Sequence, residues 1–168
     1  MNMACATDLA ETSALYAGFA ASFRYPEETG GWLSGPEYIE AFDLAANSAA
    51  TSLNEASYVD LDASVLFEEL VRFYEHFGLR RQENAELPDH LAVELEFMHF
   101  LCELEQAAAA RGEAVSAVNA AQRDFLDRHV LRLLNGVLSK FIDHEGKAAL
   151  LVRECLEFLD AHRGTLAN

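Results

Sequence analysis

The chain has 168 residues, 51% of them hydrophobic and eleven of them Phe. That length suits a single domain whose core takes roughly 70% of the unfolded surface out of water, and the composition excludes disorder. Twelve Lys and Arg stand against 28 Asp and Glu, a net charge of −16, so nucleic acid and anionic lipid are excluded as partners and basic segments are favoured.

Helix formers dominate, only three Pro occur, and no segment alternates as a strand would, so an all-α single-domain bundle of about six or seven helices is expected over residues 1–168. Thr7 and Asp8 can cap a first helix to about Arg24, with Leu15, Phe19, Ser22 and Phe23 at helical spacing. Tyr25-Pro26 ends it, and residues 27–36 form a loop. Pro36 suits the first turn of a second helix, to about Leu53. Asp60, Asp62 or Ser64 caps a third, carrying Val65, Leu66, Phe67, Leu70, Val71, Phe73, Tyr74 and Phe77 before Gly78 stops it. A polar loop from Arg80 to Leu87 follows.

Pro88 opens a fourth helix to about Arg111, and a fifth runs from about Glu113, with a bend near Asn135-Gly136, to Phe141. A turn at His144-Glu145-Gly146 leads into a last helix, Lys147 to His162. The first eleven residues lack the basic start and apolar run of a signal peptide, and no apolar stretch reaches the ~18 residues of a membrane span. No stable membrane insertion is expected. Cys5, Cys102 and Cys155 form no CxxC and read as ordinary thiols in a reducing, cytoplasmic setting.

On the fourth helix, Asp89, Glu96, His99 and Glu103 fall on one side, as a solvated face would. His90 and Glu94 lie one turn apart on a flank of Leu91, Phe97, Met98, Leu101 and Leu104. Such a pair is costly to bury unless its members bond each other or a guest. Two readings are compatible: a pair tying this helix to a neighbour, and a polar mark inside a partner groove. Glu96 and His99 have the ExxH spacing of di-iron bundles, but no second ExxH exists, so no metal site is expected. There is no HExxH, Cys/His cluster, phosphate loop or GxSxG, and His76, His129, His144 and His162 lack evident triad partners. Nothing points to an enzyme.

The stretch Glu86-Leu-Pro-Asp-His-Leu-Ala-Val-Glu-Leu-Glu-Phe-Met-His-Phe-Leu101 closely resembles the signature of the TorD/DmsD/NarJ family of molybdoenzyme-specific chaperones. Phe23-Arg24-Tyr25-Pro26, Phe73-Tyr74-Glu75-His76-Phe77-Gly78-Leu79 and Phe125-Leu126-Asp127-Arg128-His129 are similar to three further family segments. Leu133 and Leu134 stand where many relatives carry a Trp. The branch most resembled serves type II dimethyl sulfoxide reductase-like enzymes. The resemblance implies a TorD-like helical fold and a cytoplasmic protein that binds the molybdenum catalytic subunit and its basic twin-arginine leader. Such a protein assists cofactor insertion and holds back premature export. It also implies that the client, not this chain, carries molybdopterin guanine dinucleotide. Some relatives are thought to bind guanine nucleotides, but no phosphate-cradling motif supports that here, and no cofactor is expected to be held stably.

The partner-binding residues expected on this basis are Leu87, Pro88, Asp89, His90 and Glu94, with Tyr74, His76 and Phe77 from the third helix. An acidic protein with an apolar groove complements a leader made of two guanidinium groups and an apolar run. The alternative is a helical interaction or regulatory module with no role in cofactor assembly.

Overall fold

Leu91–Ala110 carries apolar side chains around most of its circumference, and it becomes the axis of the fold. The computed structural model describes residues 3–26, 32–80, 82, 85–141 and 145–166, with side chains from residue 9 onward. Within these the helices are α1 (Met3–Ser22), α2 (Gly35–Phe42), α3 (Ala63–His76), α4 (Leu91–Ala110), α5 (Ser116–Phe125), α6 (Leu131–Lys140) and α7 (Lys147–Thr165). A 3-10 turn spans Glu55–Ser57, and a π turn, Leu126–Val130, joins α5 directly to α6. Counting 116–140 as one irregular helix gives six, as expected; no strand forms among the described residues.

The most extensive helix pair is α1 on α4. Tyr16 and Ala20 of α1, with Phe23 just beyond it, meet Leu91, Leu95, Met98 and Cys102 of α4 in one core with Phe125, Leu126, Val130, Leu133, Leu134 and Val137 of the irregular helix and Leu151, Val152, Cys155 and Leu159 of α7. The inward stripe of α1 runs through Tyr16 rather than Leu15, which is 43% exposed. Two interior polar pairs cross the core: Tyr16 Oη lies 2.7 Å from His162 Nδ1, and Gln122 Nε2 donates to Glu105 over 2.7 Å. On the side of α4 expected to face water, Glu96 and Glu103 are exposed and His99 is half-buried at the edge of α1. There Ser13 Oγ is 2.8 Å from His99 Nδ1 and also bonds Glu103, while Glu96 pairs with Arg24.

Several boundaries differ from those the sequence suggests, each for a local reason. α1 begins at Met3, so Thr7 and Asp8 lie within it; their side chains, like Cys5, fall outside the described ones, as do residues 27–31 of the first loop and His144. α2 stops at Phe42, not Leu53, because Asp43 Oδ1 captures the amides of Ala45 (2.9 Å) and Ala46 (3.1 Å) in a local turn. Its start is a capping box of Ser34 and Glu37. Asp62 caps α3 through the amide of Ser64 (2.8 Å), and Gly78, at φ +81°, reverses the chain after it, as Gly112 does at φ +69° after α4. Gly164 lies inside α7. The irregularity in the fifth helix sits at the π turn, Leu126–Val130, ahead of the bend expected near Asn135-Gly136.

Gly136 is needed where it stands, because Tyr58 leans on it. A Cβ there would come within 2.5 Å of Tyr58 Cγ, and the Tyr58 hydroxyl is tied to Ser52 O at 2.6 Å, so the ring has little freedom to retreat. Gly136→Ala is therefore expected to lower unfolding free energy by about 1–3 kcal/mol. Gly18→Ala, in open space on α1, should raise it by about 0.5–1 kcal/mol. Urea midpoints of the two variants that move in the same direction would contradict this packing.

Candidate functional site

The segment Leu87–Leu91 is a corner, not the first turn of a helix. Leu91 N donates to Leu53 O (2.8 Å) and Glu55 N to Asp89 O (2.9 Å), an antiparallel bridge between Asn54 and His90. α4 can start only after this bridge is complete. Asp89, fully buried, accepts Asn54 Nδ2 at 3.0 Å with one oxygen and Ala56 N at 3.0 Å with the other. It therefore sits outside the helix and outside the reach of a guest. Tyr74 Oη, on α3, donates to Pro88 O at 2.7 Å and fixes the corner from the other side.

His90 is the N-cap of α4: its Nδ1 accepts from Ala92 N at 3.2 Å. An acceptor nitrogen carries no proton, so the ring is neutral and protonated on Nε2. Burial lowers its pKa; Glu86 pulls the other way and Arg24 adds to the lowering. The cap role separates His90 from Glu94, which the sequence places together on one apolar flank. His90 instead borders a hollow of about 270 Å³ lined by Tyr38, Phe42, Leu44 and Leu53. At its edge, Nε2–H can donate to a carbonyl but has no lone pair for an arginine.

Glu94 points into the core and meets Glu55. Glu55 Oε2 lies 3.0 Å from His129 Nδ1, and its Oε1 accepts from Arg132 Nε at 2.9 Å and Nη2 at 2.5 Å. Burial pushes the Glu55 carboxyl up, but His129 and Arg132 outweigh it and hold the group below its ordinary value. Neither Glu94 oxygen accepts an N–H, its side chain is wholly buried, and its pKa is driven well up, by burial first and then by the Glu55 charge. Burial and the Glu55 charge thus favour the protonated, uncharged form of Glu94, while Glu55 keeps its charge. His129, for which the sequence shows no evident triad partner, is fully buried in the π turn, its Nε2 3.6 Å from Glu69.

Two open grooves flank α3, because rings hold it off its neighbours: Tyr74 and Phe77 meet Phe97 at 4.9 and 5.8 Å, and Phe73 meets Phe125 at 5.3 Å. The groove between α3, α4 and the corner encloses about 450 Å³, with Tyr74, Pro88, Val93, Phe97 and Phe100 as its floor and Arg24, Glu75, Glu86 and Glu96 on its rim. The groove between α3 and α5 encloses about 850 Å³ and is lined by Phe73, His76, Phe77 and Ala121. The residues expected to bind a partner are thus divided. Tyr74 and Pro88 face the first groove, His76 and Phe77 the second, His90 the small hollow, and Asp89 and Glu94 the interior, while Leu87 is exposed beside the corner. Arg24, Glu96 and Phe100 complete the first groove; all three lie in segments that carry the family resemblance, but they are not among the residues expected to bind a partner.

Cys102 and Cys155 are buried, and burial pushes the Cys102 thiol up to about 12, so neither has thiolate character at neutral pH. Among the described residues, no group of three His, Cys, Asp or Glu is placed to hold a metal ion, and no helix is long and apolar enough to cross a membrane. The arrangement offers surfaces for binding.

Residues 11–139 match the family described as nitrate reductase delta subunit. The selenate reductase assembly chaperone of Thauera selenatis is 36% identical over 134 residues, 79% of this chain and 69% of its own length. The chlorate reductase assembly chaperone of Ideonella dechloratans is 32% identical over the same shares. The dimethyl sulfide dehydrogenase assembly chaperone of Rhodovulum sulfidophilum is 38% identical over 144 residues, 77% of this chain and 58% of its own.

Two substitutions test the interior. Asp89→Ala strands the Asn54 amide and the Ala56 N–H, and should cost about 2–4 kcal/mol in urea unfolding. Glu94→Gln preserves shape and donor. Because the folded pKa of Glu94 is raised above 4.5, the stability it contributes is complete below that value and is lost as pH rises through the folded pKa. Urea midpoints of the native chain should therefore fall as pH rises above 4.5, and Glu94→Gln should flatten that decline. Parallel profiles would refute a protonated Glu94.

Proposed function

Since the chain belongs to the nitrate reductase delta subunit family, whose relatives named above are assembly chaperones and not catalysts, we propose that it matures a molybdenum enzyme by binding its catalytic subunit in the cytoplasm. The molybdopterin guanine dinucleotide is the client's; this chain binds and releases protein. The resemblance of the sequence to the branch serving type II dimethyl sulfoxide reductase-like enzymes makes such an enzyme the client.

The observation that carries the finer reading is the groove between α3 and α4. Its floor of Tyr74, Val93, Phe97 and Phe100 suits an apolar run, and the carboxylates of Glu75, Glu86 and Glu96 on its rim suit guanidinium groups. A twin-arginine leader has both parts in that order. Seating it there hides the export signal while the client stays open for its cofactor. Tyr74 and Pro88 touch this guest directly. Asp89 and Glu94 act beneath the surface by holding the corner and α4 in place. His90 donates from Nε2 to a backbone carbonyl of the same client where the chain passes the hollow by Tyr38.

Exposed charge pairs are screened over about 8 Å at physiological ionic strength, whereas apolar contact is not. Calorimetric titration with a leader peptide should therefore show affinity falling as salt rises. Glu86→Gln should shrink that salt dependence. Phe100→Ala should weaken binding about tenfold at every salt concentration, as expected for one large apolar contact. Affinity indifferent both to salt and to Glu86→Gln would remove the leader from this groove.

A further inference from the structure

The groove assigned above already contains an arginine, and it is the protein's own. Arg24 follows the last turn of α1, its amide bonded to Ala21 O at 3.2 Å, and its side chain reaches across to the rim of the α3–α4 groove. There Nη1 donates to Glu96 Oε1, and the side chain lies within the field of Glu86. Arg24 is 38% and Glu96 47% exposed at the side chain, so water reaches both partners and the pair is one that a competitor can open.

We infer that Arg24 is an internal stand-in for a guest arginine, occupying the Glu96 subsite until a segment with two adjacent guanidinium groups displaces it. The inference rests on the groove being the binding site. Its logic is an exchange. A guest with a single arginine can settle against Glu86 and leave Arg24 on Glu96. A guest whose two adjacent arginines seat on the Glu86–Glu96 side of the rim, the two carboxylates that act on Arg24, takes Glu96 as well, trading one arginine–carboxylate pair for another and releasing Arg24 to solvent. The exchange contributes little affinity at that subsite but imposes a condition on entry. An isolated basic residue followed by an apolar stretch, common in unfolded chains, meets a groove whose second carboxylate is taken. On a surface of net charge −16, which attracts cations indiscriminately, such a condition separates a true guest from any basic segment.

The test uses the full chain and two synthetic peptides, one carrying an Arg-Arg pair before a run of Leu, the other with citrulline in place of the second Arg. Arg24→Gln should bind the diarginine peptide roughly two- to fivefold more tightly than the native chain, the range set by releasing an exposed ion pair. The citrulline peptide should gain less. In a Glu96→Gln background the benefit of Arg24→Gln should vanish, which separates competition for Glu96 from a general loss of positive charge. Because both side chains are more than a third exposed, the variants should melt with the native chain. An unchanged or weaker diarginine affinity in Arg24→Gln, or an equal gain in the Glu96→Gln background, overturns the inference and leaves the groove assignment standing. Failure of the diarginine peptide to bind either protein overturns both.

Discussion

The arrangement depends on one carboxylate held in the dark. Glu55 opens the 3-10 turn between α2 and α3 and is fully buried. Its amide is bonded to Asp89 O, and its oxygens are bonded to His129 and Arg132, beside the uncharged Glu94. A buried charge is tolerable only when its surroundings leave no lone pair unmet. Meeting that demand draws α4, the corner at Pro88–His90, the π turn and α6 to one point. The floor of the α3–α4 groove is stretched over this cluster, with Tyr74 anchoring α3 to Pro88 above it.

The α3 helix shows how a fold built from good helices still presents a receptive surface. Its neighbours meet it through rings, so the backbone stands back and a channel remains on each flank. Filling those channels with the protein's own side chains would stabilise the monomer and remove the place where a guest can lie. The charged residues around the α3–α5 channel are mostly engaged with one another: Arg72 with Glu68, and Arg128 with Glu69 and Asp124 while its guanidinium sits 5.6 Å over the Phe73 ring. The rim of the α3–α4 groove is less self-sufficient, which is why the leader is assigned there.

The helices were legible because their apolar periodicity and punctuation are local: Asp62 and Gly78 bracket α3, Gly112 closes α4, and both act within a few residues. What escaped is non-local. Periodicity alone placed His90 beside Glu94, but a bridge to Leu53–Glu55 delays α4 until Leu91 and turns His90 into its cap. Glu94 looked like half of a pair, yet its partner lies 39 positions earlier in the chain, on a stretch with no pattern of its own. His129 carried no mark of burial because a π turn, invisible to a 3.6-residue period, rotates it inward. Arg24 and Glu96 each resemble ordinary surface charges until the fold crosses α1 over α4.

That π turn has a meaning for the gene as well as for the protein. A π turn is a regular helix with one residue too many, the mark an insertion leaves when neither end of the helix can move. The wide turn takes up that extra residue, so α5 and α6 stay in phase across it. Wound as ordinary α-helix instead, the same residue would swing everything downstream by about 100°. Leu133, Leu134 and Val137 would leave the core together, and Arg132 would lose Glu55. A codon lost between Leu126 and Val130 therefore leaves the buried face in register, whereas one lost within α6 turns the residues beyond it away.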